Sequence, residues 1–204
     1  MSLFKLNKFH WHGADDEAFR FKLDDDYEIA TSTSTRGDGQ LVPPVFGSGP
    51  FPSGGCYDLV EIKRIIDRAS ENYIEVMPEF DLPGHNMSLV KLYPSMRDPE
   101  DKSYEVSVQG YTENTVNPAM PDTFSILEKV IDDLCKVFPG EYIHLGADEI
   151  APDAWSKSPA IDSLKSKHNL NTSKDVASWF INKLSKRVEL NNKKTAAWQE
   201  AEDG

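Results

Sequence analysis

Residues 142–149 read Tyr142-Ile143-His144-Leu145-Gly146-Ala147-Asp148-Glu149. Four β-forming residues run into a glycine and then into two adjacent acids, the pattern of a short inner strand that ends in polar groups. Amphipathic segments flank it. Upstream, residues 121–138 carry Phe124, Leu127, Val130, Ile131, Leu134 and Val137 on one helical face, with Asp122 as the expected N-cap and Pro139-Gly140 as the stop. Downstream, residues 173–190 repeat the pattern with Val176, Trp179, Phe180, Leu184 and Val188. Lys194-Thr195-Ala196-Ala197-Trp198 then reads as another strand. Toward the N-terminus, residues 58–70 are a helix through Leu59, Ile62, Ile65, Ile66 and Ala69, opened by an Asp58/Glu61 capping box. Tyr73-Ile74-Glu75-Val76-Met77 and Leu6-Asn7-Lys8-Phe9-His10-Trp11-His12 are strands. Strands alternating with helices define an α/β chain with a parallel sheet.

Four strands are countable, whereas a complete (β/α)8 TIM barrel has eight and typically about 250 residues. The expected fold is therefore roughly half a TIM barrel, with residues 1–204 forming a piece of one catalytic domain. Met1-Ser2-Leu3 reads as an expression leader, and both edges of the chain read as cut. Two long loops, residues 24–55 and 97–117, follow strands, where a barrel carries its binding loops. The first is rich in Gly, Pro, Ser and Thr and contains Pro43-Pro44 and Gly47-Ser48-Gly49-Pro50.

The chain holds 22 Lys plus Arg against 34 Asp plus Glu, a formal charge of −12. Such a surface repels phosphates, which argues against nucleic-acid or anionic-membrane partners. At 39% hydrophobic residues the chain can pack a core. No apolar run approaches the roughly 18 residues of a membrane helix. Two cysteines make no disulfide framework, and Cys135 beside a helical apolar stripe is expected as a buried free thiol.

Each strand ends in polar side chains: His10-Trp11-His12 then Asp15-Asp16; Glu79, Asp81 and Pro83-Gly84-His85; His144 and Asp148-Glu149; Trp198-Gln199-Glu200. Parallel strands bring their C-terminal ends to one rim, so these groups converge. Taken singly, each has a plainer reading. Asp148-Glu149 can be a helix N-cap pair, and His85 can satisfy a turn carbonyl. One of His10 and His12 can be a core histidine bonded to backbone. Trp198 can be core, Trp155 and Trp179 read as packing residues, and Glu79 and Asp81 can orient backbone or His85.

Two chemistries compete for the convergent set. Neutral imidazoles and a carboxylate at barrel strand ends suit Zn²⁺, casting His10, His12, His85, His144 and Asp148 in an amidohydrolase-like site. Alternatively, a carboxyl general acid beside a sugar-stacking aromatic describes glycoside hydrolysis, with Glu149 and Trp198 in those roles. A retaining pair flanks its bond with carboxyls about 5–5.5 Å apart. Adjacent residues on an extended strand point apart, so Asp148 and Glu149 suit a division of labour in which the substrate supplies its own nucleophile. A third possibility is a non-catalytic sugar-binding piece.

His144-x-Gly-Ala-Asp-Glu149, Phe9-His-Trp-His-x-x-Asp-Asp16, Pro78-Glu-Phe-Asp-x-Pro-Gly-His85 and Asn117-Pro-Ala-Met-Pro121 together resemble the family 20 glycoside hydrolases, the β-N-acetylhexosaminidases. Order and spacing match over nearly the whole chain. Residues 38–55, leading into the helix at Asp58, resemble the chitobiase branch. Ala147 departs from the glycine common in the family, a methyl the site is expected to tolerate.

The resemblance implies hydrolysis of terminal β-linked N-acetylhexosamine by a substrate-assisted, retaining mechanism. Glu149 matches the general acid/base and Asp148 the residue that orients the acetamido N–H. Asp15 and His85 match polar residues close to the acid, and Trp198 matches a wall of the sugar pocket. His144 and His12 match outer positions. No metal or other cofactor is implied, the partner is an N-acetylhexosamine-containing oligosaccharide, and a periplasmic, secreted or lysosomal setting is typical. The family's sugar-binding arginine and further aromatic walls have no counterpart here. The 204-residue chain alone is therefore expected to be inactive. Its unpaired sheet edges and open apolar face are expected to drive self-association.

Overall fold

The computed structural model describes residues 1–43 and 51–203. Its elements, in chain order, are β1 (Lys8–His12), β2 (Ala14–Asp15), β3 (Ala18–Phe19), α1 (Glu28–Thr33), β4 (Thr35–Arg36), β5 (Ser53–Gly54), α2 (Leu59–Ser70), β6 (Glu75–Leu82), α3 (Met87–Leu92), α4 (Pro121–Val137), β7 (Tyr142–Gly146), α5 (Pro159–His168), α6 (Ser173–Leu190) and β8 (Lys194–Ala196). The main sheet is parallel with order β1-β6-β7-β8. Each new strand adds beside the last, with no reversal of direction across the sheet. A doubly wound sheet reverses at a switch point; an arc of a (β/α)8 barrel does not.

Register fixes the two faces. Phe9 pairs with Val76, His12 with Glu79, Glu79 with His144, and His144 with Ala196. Trp11, Val76, Phe80, Leu82, Ile143 and Leu145 therefore share one face. They pack against Ile62 of α2, Leu127, Val130, Ile131 and Leu134 of α4, and Phe180, Leu184 and Val188 of α6. Each such side chain contributes about 1.5–3 kcal/mol on burial. His10, His12, Met77, Glu79, Asp81 and His144 alternate with them and take the opposite face. The expected open apolar face is thus not observed among the described residues: the side of the sheet away from the helices is polar.

The helices begin where their sequences dictate. Asp58 accepts from Glu61 N–H in a full capping box. Thr172 and Asp175 form a second, unforeseen, at the start of α6. Asp122 is not the N-cap of α4; Met120 holds that position and Pro121 occupies the first turn. Proline's preset φ starts the helix two residues earlier, so Asp122 lies inside the first turn. The strand read over residues 73–77 is Glu75–Leu82, because Phe80 and Leu82 continue the helix-facing alternation past Pro78. Cys135 is a buried free thiol, and burial pushes it up to about 11.

The long loops are built rather than loose. Within residues 24–55, α1 and the β4–β5 pair are ordered, while residues 44–50, including Pro44 and Gly47-Ser48-Gly49-Pro50, lie outside the described residues. Residues 97–117 are pinned to the Pro83-Gly84 turn. Val116 N–H donates to Pro83 O and Asn86 N–H to Asn114 O. Trp155, 2% exposed, donates its indole N–H to Val116 O. Trp179 packs edge-on against Phe124.

Candidate active site

The C-terminal strand ends bring the polar groups together in two connected arms. Glu79, on β6, is fully buried and stands at the centre of the first. His12 Nδ1 lies 2.5 Å and His10 Nε2 2.9 Å from its Oε2. His144 Nδ1 lies 3.1 Å from Oε1, and Trp198 Nε1–H donates to Oε1 at 2.8 Å. A buried carboxylate survives only when its lone pairs are matched by donors. Burial opposes its ionisation, but bonds to His12 and His144 outweigh burial and hold it well below the usual carboxylate range. Trp198 packs against both neighbouring imidazoles, 5.4 Å from His10 and 5.0 Å from His144. Its backbone N–H donates to Gly146 O at 2.8 Å, which locks the residue over the sheet end. It is 41% exposed, so it is a surface of the cleft rather than core.

The second arm runs from the β2–β3 hairpin to the acids after β7. Asp15 Oδ1 lies 3.2 Å from His85 Nδ1, and His85 Nε2 lies 3.6 Å from Glu149 Oε2. Burial would lower His85, but its bond to Asp15 and the charges of Asp81, Asp15 and Asp16 raise it to about 9. Glu149 Oε2 also accepts from Gln109 Nε2 at 3.1 Å, delivered by the turn in residues 97–117. Asp148 belongs with Asp81 and His85: one ligating atom of each lies within 4.8 Å of the others. Asp81 is raised to about 8, by burial first and by the Asp148 charge second.

Three residues that line this arm have left-handed backbones: His85 at φ +55°, Ala147 at +76° and Glu149 at +49°. Such conformations are strained for residues with a Cβ and concentrate at functional sites. They also correct the expectation for residues 147–149. Ala147 and Glu149 are not extended, and their left-handed turns rather than strand pleating set the directions of the two acids. The Ala147 backbone sits where glycine is favoured.

No helix starts at Asp148-Glu149; the next, α5, is capped by Ser158. His85 bonds Asp15 rather than a turn carbonyl. His10 and His12 both face Glu79, and neither bonds backbone among the described residues. The zinc-type set is split. His10 and His144 group with Glu79, while His85 groups with Asp81 and Asp148, or with Asp15 and Asp16; His12 joins no group of three. Three small His/carboxylate groups could each hold a cation, but the five residues cast as one site do not form one.

Glu79 carries more than the orienting role its sequence position offered, Asp16 was read only as one of the polar strand-end groups, and Gln109 was not singled out at all. Asp16 is a buried brace that accepts from Met87 N–H and Asn114 Nδ2. Only the length of the loop around Gln109 pointed toward function. Two concavities open at the rim. One, of about 450 Å³, is lined by Glu149, Ile150 and residues of α6. The other, of about 360 Å³, is lined by His12, Asp15 and Gln109.

A parallel β/α arc with paired carboxylates, imidazoles and a tryptophan at its C-terminal rim is the frame of a barrel glycosidase, and the chain belongs to glycosyl hydrolase family 20, whose catalytic-domain model matches residues 1–204. A beta-hexosaminidase of Vibrio furnissii is 31% identical over 202 residues, 98% of this chain and 33% of that protein. The crystal structure of an exo beta-N-acetylglucosaminidase from Vibrio harveyi, solved with N-acetylglucosamine, superposes with a TM-score of 0.95 at 31% identity, over 100% of this chain and 32% of that one. The Flavobacterium johnsoniae chitobiase gives 0.79 at 29% identity, over 98% of this chain and 28% of that one. The chain thus spans about a third of the length of these relatives. No helix among the described residues is long and apolar enough to cross a membrane.

Proposed function

We propose that residues 1–204 are one half of a (β/α)8 catalytic domain, and that the complete domain removes terminal, non-reducing β-linked N-acetylhexosamine from oligosaccharides with retention of configuration. The observation that carries this reading is the unlike surroundings of the two adjacent acids, which share His85: Glu149 accepts from Gln109 on the open side, while Asp148 lies on the side of Asp81. Adjacent carboxylates in unlike surroundings suit different tasks. Glu149 protonates the departing glycosidic oxygen while the substrate's acetamido oxygen attacks C1, forming an oxazolinium-like intermediate. Asp148 accepts the acetamido N–H and balances its growing positive charge. Glu149, now a carboxylate, takes a proton from water as it opens the intermediate. Proton transfer of this kind contributes about 10²–10⁴-fold, and a positioned internal nucleophile adds several kcal/mol.

Asp15 and His85 steady Glu149. Trp198 walls the pocket, with His144 and His12 behind it. The test is hydrolysis of an aryl N-acetylglucosaminide against the plain glucoside by the complete domain. Turnover of the first alone is expected; equal turnover of both would exclude substrate assistance. Two further expectations accompany the reading. The 204-residue chain alone turns over neither substrate. It also self-associates through the outer edges of β1 and β8, which have no strand partner among the described residues. Light scattering that finds a monodisperse monomer would overturn the latter.

A further inference from the structure

The two arms of the site meet at one side chain. His12 Nδ1 lies 2.5 Å from Glu79 Oε2, and its other ring nitrogen, Nε2, lies 3.5 Å from Asp15 Oδ2. Through Glu79 the first contact reaches Trp198, and through Asp15 the second reaches His85 and Glu149. The line Trp198–Glu79–His12–Asp15–His85–Glu149 therefore runs along the rim, and His12 is the link between its two arms. Among the described residues, no other side chain is bonded to both Glu79 and Asp15.

We propose that His12 is a positioning residue that couples the tryptophan wall to the acid/base arm, holding one carboxylate of each arm with one ring nitrogen. This rests on the assignment of Trp198 as a wall and Glu149 as the acid/base of one sugar pocket. The charge state fits the geometry. Bonds to Asp15 and Glu79 raise His12 to about 10, so it is an imidazolium with both nitrogens donating at neutral pH. A neutral imidazole has one donor and could serve only one arm. Asp15 is in turn held well below its ordinary range, because its bonds to His12 and His85 outweigh burial. A cation clamped between two carboxylates fixes the separation of the pocket wall from the acid/base. That separation is what the sugar ring must match in the transition state.

NMR on the chain itself reads the coupling without any need for turnover. The Trp198 indole N–H, identified among four tryptophans by its loss in Trp198→Phe, reports one arm. The His85 imidazole titration reports the other. His12→Ala is expected to shift the indole resonance and to lower the His85 midpoint from about 9, as Asp15 turns away. His12→Asn, whose amide stands where Nδ1 was, is expected to keep the indole resonance and move only His85. His12→Gln, whose amide stands nearer Nε2, is expected to do the reverse. Either reporter unmoved in His12→Ala, or no difference between the Asn and Gln variants, overturns the proposal. If the alanine variant fails to fold, the Asn and Gln pair decides. A wild-type enzyme that hydrolyses no N-acetylhexosaminide would instead defeat the functional reading and leave these resonances to judge His12 alone.

Discussion

Gly146 lacks a side chain because Asp81 occupies the space one would need. A Cβ on Gly146 would collide with Asp81 Oδ1, and the same oxygen accepts the Ala147 N–H at 3.2 Å. The glycine also sits at φ +67°. Gly146→Ala therefore drives a methyl into a buried carboxylate that holds the first residue of the acidic turn. A loss of about 3 kcal/mol is expected from overpacking and backbone strain. Urea unfolding measures it, and an unchanged midpoint would contradict the packing.

One residue further on, the sign reverses. Ala147 holds φ +76° with a Cβ, which costs about 1–2 kcal/mol relative to glycine. Glycine gives back part of that through the greater entropy of its unfolded chain, about 0.4–1 kcal/mol. Ala147→Gly is expected to stabilise by about 0.5–1 kcal/mol. Opposite shifts from glycine and alanine exchanged at neighbouring positions separate backbone strain from crowding, since Ala147→Gly relieves only strain.

Glu79 tests whether the inner face of the sheet is held by charge. Its carboxylate lies within 3.1 Å of three imidazoles and an indole from three different segments. Glu79→Leu leaves these donors facing an alkyl group and is expected to cost about 3–5 kcal/mol. Glu79→Gln keeps the shape and is expected to cost less, while releasing the Trp198 indole, visible as a change in tryptophan fluorescence.

Most of the frame was legible because it rests on local rules. The faces of α2, α4 and α6 follow the spacing of their apolar residues, and the parallel order follows from their alternation with strands. The strand ends were legible as a class, since parallel topology alone brings Asp15, His85, Asp148 and Trp198 to one rim. What escaped depends on contacts between distant residues. Gln109 reaches Glu149 across 40 positions, and its turn carries no periodicity. Glu79 lies in a strand whose continuation past Pro78 is decided by the packing of Phe80 and Leu82, not by propensity. The polar inner face follows from Glu79 pairing with His12 and His144, a register the sequence does not state.

Stability should fall as pH rises through the weakly alkaline range. His85 is raised to about 9 and His12 to about 10 from an ordinary 6.5, and Asp81 is raised to about 8 from 3.8. In each case the folded chain binds its proton more tightly than the unfolded chain. The slope of unfolding free energy with pH is then negative between the two values. The contributions of His12 and His85 are complete below about 6.5 and vanish as pH passes 9–10; that of Asp81 fades from about 4 to 8. Calorimetry is expected to show Tm declining from pH 6.5 to 10, with a shallower decline in His85→Ala. A Tm that rises over this range would mean the imidazoles are not held between the carboxylates.

The division of labour between the two acids is separable in the complete domain. Glu149→Gln removes the transferable proton and is expected to lower kcat by about 10²–10⁴-fold. A substrate with an activated aryl leaving group needs no protonation, so it should recover much of the first half-reaction in this variant. Asp148→Asn keeps that proton but cannot balance the cationic oxazolinium, so the same activated substrate is not expected to recover. Steady-state kinetics on activated and unactivated N-acetylglucosaminides reads the difference. Equal recovery in both variants would place the two carboxylates in one role, which the neighbours they do not share, Gln109 for Glu149 and Asp81 for Asp148, argue against.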